Sequence, residues 1–387
     1  MPATPDKPTR LSIIAAALPP TLDGIGDYSA LLSEELARNP QISVEVLTDC
    51  TRPHDTIAGV SIRGILDPND ARSVSAIGDA LRESQPDWAI LQYNPFSYGR
   101  RGLNLHLPRL MRRVREYSPN TKLAVMFHEM YVPMNSWKFA AMTPYQRWQY
   151  FQLARAADVV FVSIEPWAQR TARLFKSKPV YHLPVGSNIP RVAIDSQEAR
   201  ARLGVAEDEI IVGVFGTAHV SRLLHLIGPA AQAVRSAGCR VRLLYVGPDE
   251  QTVRKYAGDV PLICGGCLSP AEVSNQLSAV DIFLATYIDG ISTRRGAMMA
   301  GLQHGLAIVG TQAFNTDTEL RDLHEKAMLL VEVGDTVAFE RAIARLAADR
   351  NLRVRLGQGA ANWFNNHYAW PVIAQRMMSG LATAPRQ

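Results

Sequence analysis

Cysteine is scarce: Cys50, Cys239, Cys264 and Cys267 are the only four in 387 residues. That is too few for a disulfide framework and fits a reducing compartment. Long hydrophobic runs are missing as well, and no segment approaches the ~20 consecutive apolar residues that a membrane span requires. The chain has no Asp-x-Asp pair, so a divalent cation bridging a diphosphate is not expected. It has no repeat of solenoid period and no low-complexity tract. The polar, proline-containing start "MPATPDKPTR" lacks the apolar core and small-residue cleavage site of a signal peptide, which makes the cytoplasm the expected location. Cys264-Gly-Gly-Cys267 has the spacing of half a zinc site or a redox pair. It ends a strand and has no second pair, which favours a purely structural reading. Charge is also modest, a net +5, enough to suit anionic ligands and not enough to imply nucleic acid.

What is present is alternation. "RLSIIAAAL", a helix from Asp27 to Arg38, "ISVEVLTD", a helix over Ser73 to Glu83, "WAILQY", a helix over Asn104 to Tyr117, "KLAVMFHE", "VVFVSI" and "VYHLPVG" follow one another. A polar stretch from Ser187 to Arg202 separates these from "EIIVGVFGT", "RVRLLYVG", "VPLICGG", "DIFLATY" and "LAIVGT". Strands alternating with helices predict an α/β chain of two doubly wound Rossmann-like domains with parallel sheets. The expected division is 1–187 and 188–369. A last helix follows the break at Trp370-Pro371, and residues 370–387 are expected to return to the first domain.

Ligands of open parallel sheets bind at the carboxyl ends of the strands, which singles out five loops. Gly24 and Gly26 lie in the turn before the first helix, where free amides favour an anion or a sugar and a conformational role competes. His128-Glu129 ends "KLAVMFHE". Gly216-Thr217 ends "VGVFGT", with Arg222 close behind to supply charge to a phosphate. Asp289-Gly290-Ile291-Ser292-Thr293-Arg294-Arg295 follows "DIFLATY" and opens a helix. Two arginines at a helix start oppose the usual preference for acids there, and a nearby anion would resolve the conflict, whereas a solvated face would leave it. Tyr93 and Asn94, after "WAILQ", offer an aromatic face and an amide to a sugar.

Together "GIGDYSALLSEELAR", "FHE", "VGVFGT" with Arg222, "YHLPVGSNIP" and "LSAVDIFLATYIDGISTRRGAMMAGLQHGLAIVGT" resemble the GT-B glycosyltransferases of the retaining family four, over almost the whole chain. The resemblance implies two domains facing across a cleft. It also implies retaining, metal-independent transfer of a hexose from a nucleoside diphosphate sugar to a hydroxyl of a glycan, a glycolipid or a small metabolite. No resident cofactor is implied. By resemblance Asp289, His128 and Arg222 carry catalysis, with Asp289 and His128 gripping the sugar. Gly24, Gly26, Gly216, Thr217, Gly290, Ile291, Ser292, Thr293 and Arg294 are the expected donor-binding residues, and Tyr93, Asn94 and Glu129, read from their own chemistry and position, are the acceptor-side candidates. The family signature has two glutamates with seven residues between them; Asp289 takes the first place and Ala297 the second, where a ribose contact is then missing.

Ala297 leaves a competing reading, a non-catalytic homologue acting as a sugar or nucleotide sensor or as a partner subunit. A third reading, isomerisation of a nucleotide sugar, needs an acid and a base, for which His128, Glu129 and Asp289 are the candidates. Arginine is dense between Arg100 and Arg115. Arg109, Arg112 and Arg113 on one side of a helix would suit the inner face of an anionic membrane and a lipid-linked acceptor, or simply a solvated face.

Overall fold

The structure, a computed structural model, describes residues 7–52, 54–67, 70–134 and 137–384. The chain forms two compact units, Met1–Pro184 with Trp370–Gln387, and Val185–Ala369. Each is built on its own sheet.

In the first unit the strands are β1 (Thr9–Ile14), β2 (Ile42–Asp49), β3 (Asp55–Ile57), β4 (Val60–Leu66), β5 (Trp88–Tyr93), β6 (Lys122–Phe127), β7 (Val159–Val162) and β8 (Val180–His182). Their order is β3-β4-β2-β1-β5-β6-β7-β8. All pairings are parallel except β3 with β4, an edge hairpin. The central strands are buried on both faces, as continuous apolar sequences such as "WAILQY" require. The second unit holds β9 (Glu209–Phe215), β10 (Arg240–Val246), β11 (Leu262–Cys264), β12 (Ile282–Ala285), β13 (Ala307–Gln312) and β14 (Met328–Glu332). Their order is β11-β10-β9-β12-β13-β14, parallel throughout. The order reverses direction between β9 and β12, so the loops after these two strands share the topological switch point where such sheets bind ligands.

Helix boundaries differ from the sequence reading at instructive places. The first helix starts earlier, at Gly24, because Asp23 caps it. The helix expected over Asn104 to Tyr117 is two pieces, His106–Arg112 and Val114–Tyr117, with Arg113 non-helical between them. The arginine face of Arg109, Arg112 and Arg113 is therefore not a single helical face: Arg113 is paired with Glu116, and Arg112 lies 3.4 Å from Gln152. Among the described residues no helix is long and apolar enough to cross a membrane.

Two long helices were not read from the sequence, Trp137–Ala156 and Arg350–His367. The first turns polar residues inward: Gln146 accepts from the Val132 amide at 2.9 Å, and Gln149 accepts from the Asn104 amide at 2.6 Å. A helix whose core face carries glutamines shows no apolar stripe. The last helix, Trp370–Ala382, belongs to the first unit, where Trp370 lies 5.4 Å from the ring of Tyr28 and Tyr181 bonds Thr383.

Candidate active site

The loop after β12 is built around a buried acid. Asp289 is flanked by a residue that only glycine suits: Gly290 has φ +84°, and a side chain there would press on the Ala313 amide and the Thr316 hydroxyl. The turn is closed from below by Thr311, whose hydroxyl bridges the amide and carbonyl of Tyr287, both at 2.7 Å. Three of the turn's amides are spent on the fold. Gly290 donates to the Tyr287 carbonyl, Ile291 to the Thr311 carbonyl and Thr293 to the carboxylate of Asp317. Ile291, Ser292 and Thr293 are wholly buried, so as side chains they shape the turn. The helix that follows is Gly296–Gln303. The amides its own ladder leaves over are those of Gly296, Ala297 and Met298.

The arginine pair has found its anion inside the chain. Asp289 Oδ1 accepts from Arg295 Nη2 at 2.6 Å, and Oδ2 accepts from Arg294 Nη2 at 2.7 Å and from Asn315 Nδ2 at 3.1 Å. Side-chain exposures of 11% for Asp289, 13% for Arg294 and 14% for Arg295 rule out a solvated face. Burial opposes the charged form of Asp289; Arg295, Arg294 and Asn315 outweigh it and hold the carboxyl below its ordinary range. For Arg295, burial and the like charge of Arg294 push the other way and lower its affinity for its proton, with Asp289 resisting.

A second loop, after β9, meets this one. Arg222 pairs through its backbone with Tyr287, and Leu223 donates to the Thr286 carbonyl. The guanidiniums of Arg222 and Arg295 both lie over the Tyr287 ring, 5.0 and 4.3 Å from its centre, within cation–π range. Arg222 also donates to the Phe215 carbonyl and would touch any side chain at Gly216, whose φ is +99°. Ala297 lies on the same spot, 3.7 Å from where that side chain would start. The Gly216 amide donates to the Val246 carbonyl and is not available to a ligand; Thr217 is exposed.

In the first unit, His128 is buried and its Nε2 is 2.8 Å from Gln92 Oε1, with Tyr28 edge-on at 4.8 Å. Burial pushes its pKa down to about 3, so the imidazole is neutral at pH 7. Three sequence expectations change here. The Ile25 and Gly26 amides are already bonded to Asp23, and Gly26 packs on the Ala17 carbonyl, which gives Gly26 a conformational role. Tyr93 is core, accepting from Gln149 at 3.1 Å, and cannot stack on a sugar. Asn94 closes its own turn through the Phe96 amide; Glu129 is half-buried just after β6. All four cysteines are free, and the described residues contain no cluster of three or more potential metal ligands.

Sequence reasoning passed over Tyr287, Asn315, Asp317 and Gln92. Asn315 and Asp317 lie in the loop after β13, which the same carboxyl-end rule would have flagged. Gln92 and Tyr287 sit within or next to apolar strands, where nothing marks them.

Two doubly wound parallel-sheet domains with this switch-point site define the GT-B fold of glycosyltransferases. Solved structures bear this out. Sucrose-phosphate synthase of Thermosynechococcus elongatus superposes with a TM-score of 0.70 at 17% identity, over 97% of this chain and 98% of that one. HepE of Anabaena, solved in complex with UDP and glucose, gives 0.67 at 14% identity, over 97% and 100%. WaaG, a glycosyltransferase involved in lipopolysaccharide biosynthesis, gives 0.66 at 12% identity, over 97% and 100%. No family model and no curated protein matches the sequence.

Two outcomes test this geometry. Asp289→Ala strands two buried guanidiniums and should cost roughly 3–5 kcal/mol, read as a lower urea midpoint with an unchanged slope; an unaltered midpoint would contradict the buried trio. The unfolded chain binds a proton at His128 near pH 6.5 while the folded chain does so only near pH 3. The contribution of neutral His128 is therefore complete above pH 6.5 and is lost as pH falls toward 3. The stability difference between wild type and His128→Gln should shrink by about 1.4 kcal/mol per pH unit below 6.5, and a pH-independent difference would show that His128 is not buried neutral.

Proposed function

We propose that the chain is a glycosyltransferase that moves a hexose from a nucleoside diphosphate sugar to an acceptor hydroxyl. The observation that carries this reading is the convergence of Arg222 and Arg295 on Tyr287 beside Gly216 and the buried Asp289, at the switch point of the second sheet. Solved GT-B neighbours support it: structures of HepE hold UDP with glucose, and UDP-glucose.

Breaking the glycosidic bond leaves positive charge on the sugar and negative charge on the departing diphosphate. Preorganised donors that meet the developing anion lower the barrier without rearranging. Arg222, held by Tyr287 and the Phe215 carbonyl, is one; the opening amides of Gly296–Gln303 are a second. Arg294 adds charge. With these cations in place no metal is needed to neutralise the leaving group. Asp289 accepts from a sugar hydroxyl. The first unit takes the acceptor, a glycan, glycolipid or small metabolite, and neutral His128 is a hydrogen-bonding group there, not a cation. Retention at the anomeric carbon, with the leaving phosphate oxygen taking the acceptor proton, fits a site in which no nucleophile is assigned.

Ala297 favours one competing reading. Its methyl lies beside Gly216 where a carboxylate would hold a ribose, as suits a binding protein without turnover. A thermal-shift panel of UDP, GDP, ADP and their sugars should raise the melting temperature for at least one nucleotide, since ligands of the folded state stabilise it by mass action. In transfer and donor-hydrolysis assays, Arg222→Gln and Asp289→Asn should each lower the rate by about a hundredfold or more while still melting cooperatively. Wild-type rates in both would contradict the proposed site, and binding without any turnover would establish the non-catalytic reading.

A further inference from the structure

We infer that the first unit docks on an anionic lipid surface through the outer face of the helix Trp137–Ala156. The surface belongs wholly to the first unit, and the donor reading of the second does not bear on it. This helix is inside out for a protein in water. Its buried face carries Thr143, Gln146 and Gln149 beside Tyr150 and Leu153, while its outer face carries Trp137, Trp148 and Phe151, exposed by 79%, 39% and 42%. Positions 137, 141, 144, 148 and 151 recur at the i, i+4, i+7 spacing of one helical face. Ala141 and Pro144 are exposed as well, so the row holds no polar side chain from the first ring to the last. Exposed tryptophan is at home where an apolar ring and a polar edge are both satisfied, and the headgroup level of a bilayer is such a place.

Charge selects the occupant. The sequence has no Asp or Glu from Trp88 to Arg115 or from Met130 to Ala157. Glu116 and Asp158, which follow these stretches, are engaged by Arg113 and Arg115. The two stretches lie side by side: Gln149 Nε2 donates to the Gly102 carbonyl at 2.8 Å, the Tyr145 hydroxyl donates to the Arg101 carbonyl, and Arg112 lies 3.4 Å from Gln152. Arg109, Arg112, Lys138 and Arg155 are exposed on them, and the Lys138 ammonium stands 5.8 Å from the centre of the Trp137 ring. Aromatic rings among cations, without acids, fit anionic headgroups, where apolar contact and charge attraction add. A second copy fits badly, because a two-fold contact sets this face against itself and its cations against their like. Among the described residues no helix is long and apolar enough to cross a membrane, so the contact is peripheral.

The test is co-sedimentation of the full chain with vesicles of phosphatidylcholine alone and of phosphatidylcholine with phosphatidylglycerol, read together with tryptophan fluorescence. The wild type should bind the anionic vesicles about tenfold or more tighter than the neutral ones, with a blue shift of its emission. Trp137→Ser with Trp148→Ser should lower affinity for the anionic vesicles by about tenfold or more and remove the blue shift. Trp137→Ser alone, at the most exposed ring, should lower it severalfold without touching the core. Arg109→Gln with Arg112→Gln should also cost about tenfold or more on anionic vesicles and leave the neutral ones unaffected. Absence of binding to anionic vesicles overturns the inference, as does binding that survives either pair of substitutions. A wild-type dimer in lipid-free solution that the tryptophan pair dissolves, without vesicle binding, gives the face to a second copy and overturns it too.

Discussion

One buried carboxylate organises the second unit's site. Asp289 sits between Arg294 and Arg295 and is tied through Asn315 to the loop after β13. Burying an ion costs several kcal/mol, and only close, well-directed partners repay it. That requirement fixes the rest: Gly290 must turn sharply so that Asp289 faces its partners, Thr311 must hold Tyr287, and Tyr287 must present its ring to two guanidiniums.

The first unit handles polarity in the opposite way. His128 is buried without a counter-charge and stays neutral, bonded to Gln92, while Gln146 and Gln149 satisfy backbone amides from inside a helix.

Much of this was legible in the sequence, and the failures share a cause. Apolar runs alternating with helices mark the parallel sheets, and the carboxyl-end rule leads to Asp289, Arg222 and Gly216 before any coordinates. Short-range sequence does not show which partner a polar group has. The pair Arg294-Arg295 read as a socket for an outside anion, but its first anion is Asp289, five and six residues back. Tyr93 read as a sugar platform because it ends a strand, yet Gln149, from a helix with no apolar stripe, seals it in the core. For Gly26 a ligand and a conformational role competed in the sequence, and the Asp23 cap together with the close Ala17 carbonyl favours the conformational one. In each case a hydrogen-bond partner that residue types alone do not reveal overrode the local signal.

The central claim is that a nucleotide docks on the second unit at the loops after β9 and β12. Hydrogen–deuterium exchange with and without a saturating nucleoside diphosphate measures this directly. The account predicts slowed exchange over residues 216–222 and 287–298. Protection confined to other segments, such as the turn at residues 19–28 of the first unit, would contradict it.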